Sequence, residues 1–171
     1  MKFKMGKTTK IVFIVVVAIG ILSLIPFNQK VNQEIDAKVY ENAVAVKDTK
    51  VIIEGEKSNY LFRRDESFHG KFHISTYEKS KADGMNASIS WDDKYHLQNL
   101  LFSQNATFPS MDTIGAMMIN DKMSEFAFMF TDGTVIATSD ELYNLYTKHI
   151  SYDASTGTTF TELVNEMPKI E

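Results

Sequence analysis

The stretch FHGKFHIST, Phe68–Thr76, shows a clear two-residue period. Successive side chains of a β-strand point to opposite faces of the sheet, so a period of two is typical of a strand with one buried and one solvated face. The apolar face holds Phe68, Phe72 and Ile74, and the polar face holds His69, Lys71 and His73. The segment therefore predicts a half-buried strand.

The neighbouring stretch MNASISW repeats the same pattern. Its inward positions are Met85, Ala87, Ile89 and Trp91. Ala82-Asp83-Gly84 lies between the two runs and is a turn signal. Further short apolar runs are separated by Asp, Asn, Gly or Pro: KVIIEGE, YHLQNLLF, IGAMMI, EFAFMF and TVIAT. Sequential strands with short connections predict an antiparallel meander.

Two segments near the C-terminus change to the helical period. In TSDELYNLYTKHI, Thr138 and Glu141 form a capping box, and the apolar side holds Leu142, Leu145, Tyr146 and His149. In TTFTELVNEM, Thr159 and Glu162 repeat the capping box, and the apolar stripe holds Phe160, Leu163, Val164 and Met167. The expected fold is α+β: an antiparallel β-meander sheet with two C-terminal helices packed on it.

The N-terminal part of the chain predicts a membrane anchor. Residues 11–27 carry no charge and follow four lysines, and such a run is about long enough for a thin bilayer. The lysines place residues 1–10 in the cytoplasm as a basic tail, before a transmembrane signal-anchor at 11–27. A polar stalk at 28–38 and an extracytoplasmic domain at 39–171 complete the expected single-pass protein of the cell membrane. A cleaved signal peptide is the alternative.

Charge and composition exclude some classes of function. Residues 1–27 hold four of the 18 basic residues and no acid, which leaves 14 basic against 22 acidic residues in 28–171, a net charge of −8. Such a domain repels a phosphate backbone, so the sequence predicts no nucleic-acid partner. The chain has no cysteine, which excludes disulfides and thiolate chemistry.

The stretch FMFTDGTV, Phe128–Val135, resembles the opening motif of haloacid dehalogenase-like phosphatases. That motif needs a nucleophilic aspartate two positions before the Asp of Asp-Gly-Thr, and this chain has Phe130 there. A phenyl ring is neither a nucleophile nor a ligand for a hard metal ion. Asp132-Gly133 between two apolar runs instead predicts a β-hairpin with a type I′ turn.

His69 and His73 would share a zinc ion only on a helix. Four residues of a strand separate two side chains by about 13 Å, too far for ligand bonds near 2 Å. The sequence therefore predicts two solvated histidines and no metal site or cofactor. Five clustered methionines are interpreted as core residues, with Cu(I) binding as the alternative: Met111, Met117, Met118, Met123 and Met129.

The run YLFRRDESFHGKFHISTYE, Tyr60–Glu78, behind a short lysine-headed apolar segment, resembles small membrane-anchored extracytoplasmic proteins of Gram-positive bacteria with no assigned function. The resemblance implies a location at the bacterial cell surface and supplies no site residues.

The sequence favours a non-enzymatic interaction or sensing domain, held at the membrane by its N-terminal helix and bound to a protein partner at the cell surface. The alternative is an extracytoplasmic hydrolase. For that alternative, the candidate catalytic residues are Asp92, Asp93 and His96, a histidine close to two carboxylates. The simpler interpretation of Asp92-Asp93-Lys94 is the tip of another hairpin, and the sequence identifies no partner nucleophile.

Overall fold

Eight antiparallel strands close into a barrel in the computed structural model of the chain. The strands follow one another around the barrel, and β8 returns to pair with β1 at Lys38–Tyr40. The strands are β1 (Pro26–Glu41), β2 (Val44–Tyr60), β3 (Ser67–Ile74), β4 (Met85–Ser90), β5 (Gln98–Gln104), β6 (Thr113–Ile119), β7 (Phe126–Phe130) and β8 (Val135–Ala137). The structure describes residues 6–60, 66–91, 97–105, 107, 110–153, 155–161 and 170.

The remaining elements lie before, within and after the barrel sequence. Helix α1 (Lys7–Leu22) precedes β1, and a 3-10 turn at Glu78–Lys81 lies between β3 and β4. Helix α2 (Asp140–His149) follows β8 and leads into a hairpin of β9 (Ile150–Asp153) and β10 (Thr158–Thr161).

The barrel interior is filled by apolar side chains from alternate strand positions. The expected inward faces of β3 and β4 are confirmed, because their apolar residues are buried: Phe68, Phe72, Ile74, Met85, Ala87, Ile89 and Trp91. The Phe72 ring packs edge-on against the rings of Phe102, Phe126 and Phe128. An eight-stranded barrel has an interior that side chains can fill, and these aromatic residues supply much of the volume.

Strand β7 (FAFMF) is buried on both faces, which is why its sequence lacks alternation. Its phenylalanines belong to the interior core, whereas Ala127 and Met129 belong to a second apolar cluster. That cluster also contains Leu142 and Tyr146 of α2, so the helix covers the outside of the barrel at β7 and β8. The Tyr146 hydroxyl donates a hydrogen bond to the carbonyl of Ala116, 2.8 Å away.

The predicted α+β fold is therefore wrong. The meander of antiparallel strands is present, but it closes on itself instead of forming an open sheet covered by two helices. The start of the second predicted helix lies in β10, where Thr159 pairs with Tyr152. Its predicted stripe residues Leu163, Val164 and Met167 lie outside the described residues.

The predicted capping box of α2 is displaced by one residue. Ser139 is the N-cap, and its hydroxyl accepts a hydrogen bond from the amide of Leu142 at 3.1 Å. The Thr138 hydroxyl instead accepts from the Phe126 amide of β7 at 3.2 Å. The Thr138 side chain is thus engaged by the first residue of β7, and Ser139, the next residue, caps the helix.

The predicted transmembrane anchor at residues 11–27 is also wrong. Helix α1 has 16 residues, which at 1.5 Å per residue is about 24 Å, against about 30 Å for a hydrocarbon core. The helix ends at Leu22, so residues 23–27 of the apolar run lie beyond it, and Pro26 and Phe27 belong to β1. Within the described part of the chain, no helix combines the length and the apolar character that a membrane crossing requires.

Two further expectations depended on that anchor. The single-pass placement in the cell membrane, with a cytoplasmic N-terminus and an extracytoplasmic domain, loses its support together with the membrane partner. The segment 28–38, expected as a stalk, lies within β1 and pairs with β2 along its length.

Candidate functional site

The barrel has two ends with different polar structure. The turn end carries the connections β1–β2, β3–β4 and β7–β8, at residues 42–43, 75–84 and 131–134, together with the end of β5 and the start of β6. The Lys57 end carries the connection β6–β7, at residues 120–125, together with the ends of β2 and β4 and the starts of β3 and β5. Buried polar groups without partners are found at the Lys57 end.

Four inward-facing residues form a row across adjacent strands at the Lys57 end. The pairings of β2 with β3, of β3 with β4 and of β4 with β5 each end on residues that face outward. The next position toward the Lys57 end therefore faces inward on each strand. The Trp91 amide donates to the Glu66 carbonyl at 3.0 Å, which holds these two positions side by side. We call this set the rim row, and its members are Asn59, Glu66, Trp91 and Gln98.

Lys57 lies one inward position below the rim row on β2. Its side chain is 6% exposed, and Nζ lies 2.8 Å from Oε2 of Glu66. The same nitrogen donates to the Asp121 carbonyl at 2.9 Å and lies 4.5 Å from the centroid of the Trp91 ring. A buried ammonium needs paired charge and hydrogen bonds to offset its desolvation, and this arrangement supplies both, together with a cation–π contact.

The β6–β7 connection holds the carbonyl that binds Lys57. Within it, the Asn120 side-chain oxygen accepts from the Ser124 amide at 2.9 Å, and Met123 is fully buried with a φ of 58°. Gln33 of β1 donates to the Met123 carbonyl at 2.8 Å. The β6–β7 connection is thus held by its own hydrogen bonds and by β1. The Asp121 carbonyl that binds Lys57 is therefore fixed in position.

Three buried polar atoms in the rim row have no hydrogen-bond partner among the described residues: Oδ1 of Asn59, Oε2 of Glu66 and Nε1 of Trp91. Oε2 of Glu66 is engaged by the ion pair with Lys57 at 2.8 Å, which leaves the Asn59 and Trp91 atoms unpaired among these residues. Trp91 is only 8% exposed, so water has little access to its indole N–H. Leaving a buried polar group unpaired costs about 1–3 kcal/mol. Among the described residues, the row therefore presents one unpaired donor and one unpaired acceptor in a site whose charges are already paired.

The expected catalytic residues Asp92, Asp93 and His96 lie outside the described residues. They follow Trp91 directly in the sequence, so the chain enters that segment from the rim row. The hydrolase hypothesis built on them stays a prediction.

Asp132 lies in the β7–β8 hairpin, as the sequence predicts. The Gly133 amide donates to the Phe130 carbonyl at 3.0 Å, and Oδ1 of Asp132 accepts from the Thr134 amide at 2.9 Å. Gly133 has a φ of 86°, whereas Asp132 is not among the residues with positive φ. The turn is therefore a type I turn followed by a glycine bulge, and the expected type I′ geometry is wrong.

His69 and His73 lie in β3, on the face opposite its buried phenylalanines. The Nδ1 atom of His69 lies 3.0 Å from the Ser88 hydroxyl, and burial lowers the pKa of His73 from its ordinary value. The described residues contain no group of three or more His, Cys, Asp or Glu that could hold a metal ion. The clustered methionines are buried in two separate apolar clusters, as expected of core residues.

Sequence reasoning missed Lys57 and the rim row. A signal was present in the strand KVIIEGEKSNY. Every second residue from Val51 faces the interior, and this series runs through Ile53 and Gly55 to Lys57. A charged residue on the buried face of a strand is rare unless it is paired, so the parity alone could have drawn attention to this position.

Three comparisons of the chain, with protein-family models, with curated proteins and with solved structures, gave no match.

Proposed function

We propose that the protein is a non-enzymatic binding domain that takes a small, neutral, polar ligand at the rim row. The observation that carries the proposal is that Asn59 Oδ1 and Trp91 Nε1 are buried and have neither a hydrogen bond nor an ion pair among the described residues. Buried polar groups in native proteins are nearly always hydrogen-bonded. A ligand that accepts from the indole N–H and donates to the amide oxygen removes both deficits.

The paired charges of the site favour a neutral ligand. The Lys57 ammonium and the Glu66 carboxylate lie 2.8 Å apart and balance each other. A charged ligand would bring a third charge into a buried site without a counter-charge, which is costly. Hydroxyl and amide groups supply both a donor and an acceptor without charge, so sugars and amides are the classes of ligand that fit.

The contacts of Lys57 favour binding over covalent chemistry. Its Nζ is engaged by the Glu66 carboxylate, the Asp121 carbonyl and the Trp91 ring. A nucleophilic lysine instead needs a free amine directed at the substrate. The role that fits these contacts is to orient the indole ring, so that its N–H is held in one direction for a ligand.

The test uses Trp91 fluorescence, because the chain contains a single tryptophan. The full chain is titrated with glucose, N-acetylglucosamine and acetamide as neutral probes, and with acetate and methylammonium as charged probes. We expect a saturable change in emission for at least one neutral probe and none for the charged probes. Silence from every neutral probe, or an equal response to the charged probes, would contradict the proposal.

A matched pair of variants locates the response. Asn59→Leu removes the acceptor of the rim row and should abolish the saturable change. Asn99→Leu makes the same substitution at an exposed position of β5 and should retain it. Equal titrations in both variants would place the ligand elsewhere on the barrel.

A further inference from the structure

Strand β1 has a long open edge. It pairs with β2 from Pro26 to Glu41, but on its other side it pairs with β8 only at Lys38–Tyr40. Within the described part of the chain, no other strand pairs with residues 26–37 on that side. Such an edge presents unpaired backbone N–H and C=O groups, which form a template for another strand.

The outward-facing residues along this edge alternate in a self-complementary order. Asn28, Lys30, Asn32, Glu34 and Asp36 are all exposed and share one face of the strand. When a second copy of the edge is laid antiparallel with Asn32 opposite Asn32, Lys30 of each copy lies opposite Glu34 of the other. Opposite charges directly across an antiparallel pair stabilise it, and like charges destabilise it.

We propose that two copies of the chain associate through their β1 edges, in an antiparallel two-fold arrangement centred on Asn32. The arrangement continues the sheet of one barrel into the other by backbone hydrogen bonds. It makes two Lys30–Glu34 pairs, because a two-fold axis repeats each contact. The partner is a second copy because the edge complements itself in this register.

The inner side of the same edge is compatible with this pairing. Val31 and Ile35 pack against the barrel core, and Gln33 is held by carbonyls of the β6–β7 connection at 2.8 and 3.2 Å. The strand is thus fixed in shape before a partner arrives. Glu34 also forms an ion pair with Lys50 of β2, which positions its carboxylate on the outer face.

The test measures molecular mass against concentration by sedimentation equilibrium of the full chain. We expect a monomer–dimer equilibrium based on the 19.4 kDa chain. Lys30→Glu and Glu34→Lys each place like charges opposite each other twice per dimer, and each should raise the dissociation constant at least about tenfold. The double variant Lys30→Glu/Glu34→Lys restores opposite charges and should recover most of the loss.

The control is Lys71→Glu, which reverses a charge on the outer face of β3 beside Glu54, away from the open edge. It should leave the dissociation constant unchanged. A monomer at all concentrations would overturn the proposal. So would association that both single variants leave intact, as expected if the exposed apolar helix α1 were the contact, or a double variant no better than the singles.

Discussion

The two ends of the barrel treat buried polar groups in opposite ways. At the turn end, the hydroxyls of Thr49 and Thr76 lie 3.1 Å apart and bond each other. The fully buried Ser80 hydroxyl accepts from the Ile74 amide at 2.8 Å and donates to the Tyr77 carbonyl at 2.6 Å. These polar side chains are paired with groups in or beside the β3–β4 connection at the same end of the barrel.

At the Lys57 end, the partners come from distant parts of the chain, and Asn59 Oδ1 and Trp91 Nε1 have none among the described residues. A fold that pairs its buried groups at one end can do so at the other. Under the proposed function, the unpaired groups of the Lys57 end are kept for a ligand, whereas the paired groups of the turn end contribute to stability. Departures from full pairing are expected at functional sites.

The largest expected effect is at the Lys57 end. Lys57→Met leaves the Glu66 carboxylate without its counter-charge and removes a donor from the Asp121 carbonyl. We expect a loss of about 2–3 kcal/mol in the free energy of unfolding, below the usual 3–5 because Glu66 is partly exposed. The measurement is urea unfolding of the full chain.

Two variants sharpen this result. Lys57→Met combined with Glu66→Gln removes both charges and should recover part of the loss. Lys71→Met breaks the exposed pair of Lys71 and Glu54 on the outside of the barrel and should cost less than about 1 kcal/mol. Equal losses in Lys57→Met and Lys71→Met would mean that the buried ion pair contributes no more than a surface one.

The second effect tests the turn end. Ser80→Ala removes the acceptor of the Ile74 amide and the donor to the Tyr77 carbonyl. Because Ser80 is fully buried, water cannot replace these bonds, and we expect a loss of about 1–3 kcal/mol by urea unfolding. Ser67→Ala, at an exposed position of β3, is the control and should change stability by no more than about 0.5 kcal/mol. A small effect at Ser80 would remove the contrast between the ends.

The smallest expected effect is a gain in stability, from a substitution in the β1–β2 turn. The β1–β2 turn holds Asn42 and Ala43 at φ values of 50° and 66°, and alanine is strained in this left-handed region. Ala43→Gly should relieve the strain and raise stability by about 0.5–1 kcal/mol. The matched control, Ala45→Gly, lies in β2 and should lower stability by a similar amount. A rise in melting temperature in both variants, or in neither, would contradict the assignment of strain to Ala43.

Part of the fold follows from local sequence. The faces of β3 and β4 could be predicted because Phe68, Phe72 and Ile89 alternate with polar residues, and the Asp132-Gly133 hairpin from its turn residues. β1 was harder to predict, because between residues 28 and 36 only Val31 and Ile35 are apolar, so this segment predicts a polar stalk. Barrel closure has no local signal at all, since it depends on pairing between β1 and β8.

The candidate site follows from register, which a single strand does not reveal. Lys57 could be placed on the inner face of β2 by counting from Val51, but its contacts with Glu66, Trp91 and Asp121 join three different connections. The rim row exists only once four strands are aligned. Sequence reasoning therefore placed Trp91 inside the fold without showing what lies beside it.

The pairing of β1 with β8, which closes the barrel and is called the seam here, has a consequence for the order of folding. It joins Lys38 to Ala137, about 100 residues apart, and closing so long a loop slows folding because its entropy is lost before the contacts form. On a ribosome adding about 5–20 residues per second, β8 follows the end of β2 by about 4–15 s. During that interval, the apolar inner faces of the strands already synthesised cannot be buried in a closed barrel. We therefore expect closure of the β1–β8 pairing to be the rate-limiting step of folding, and we expect the nascent chain to expose apolar surface until β8 has been made.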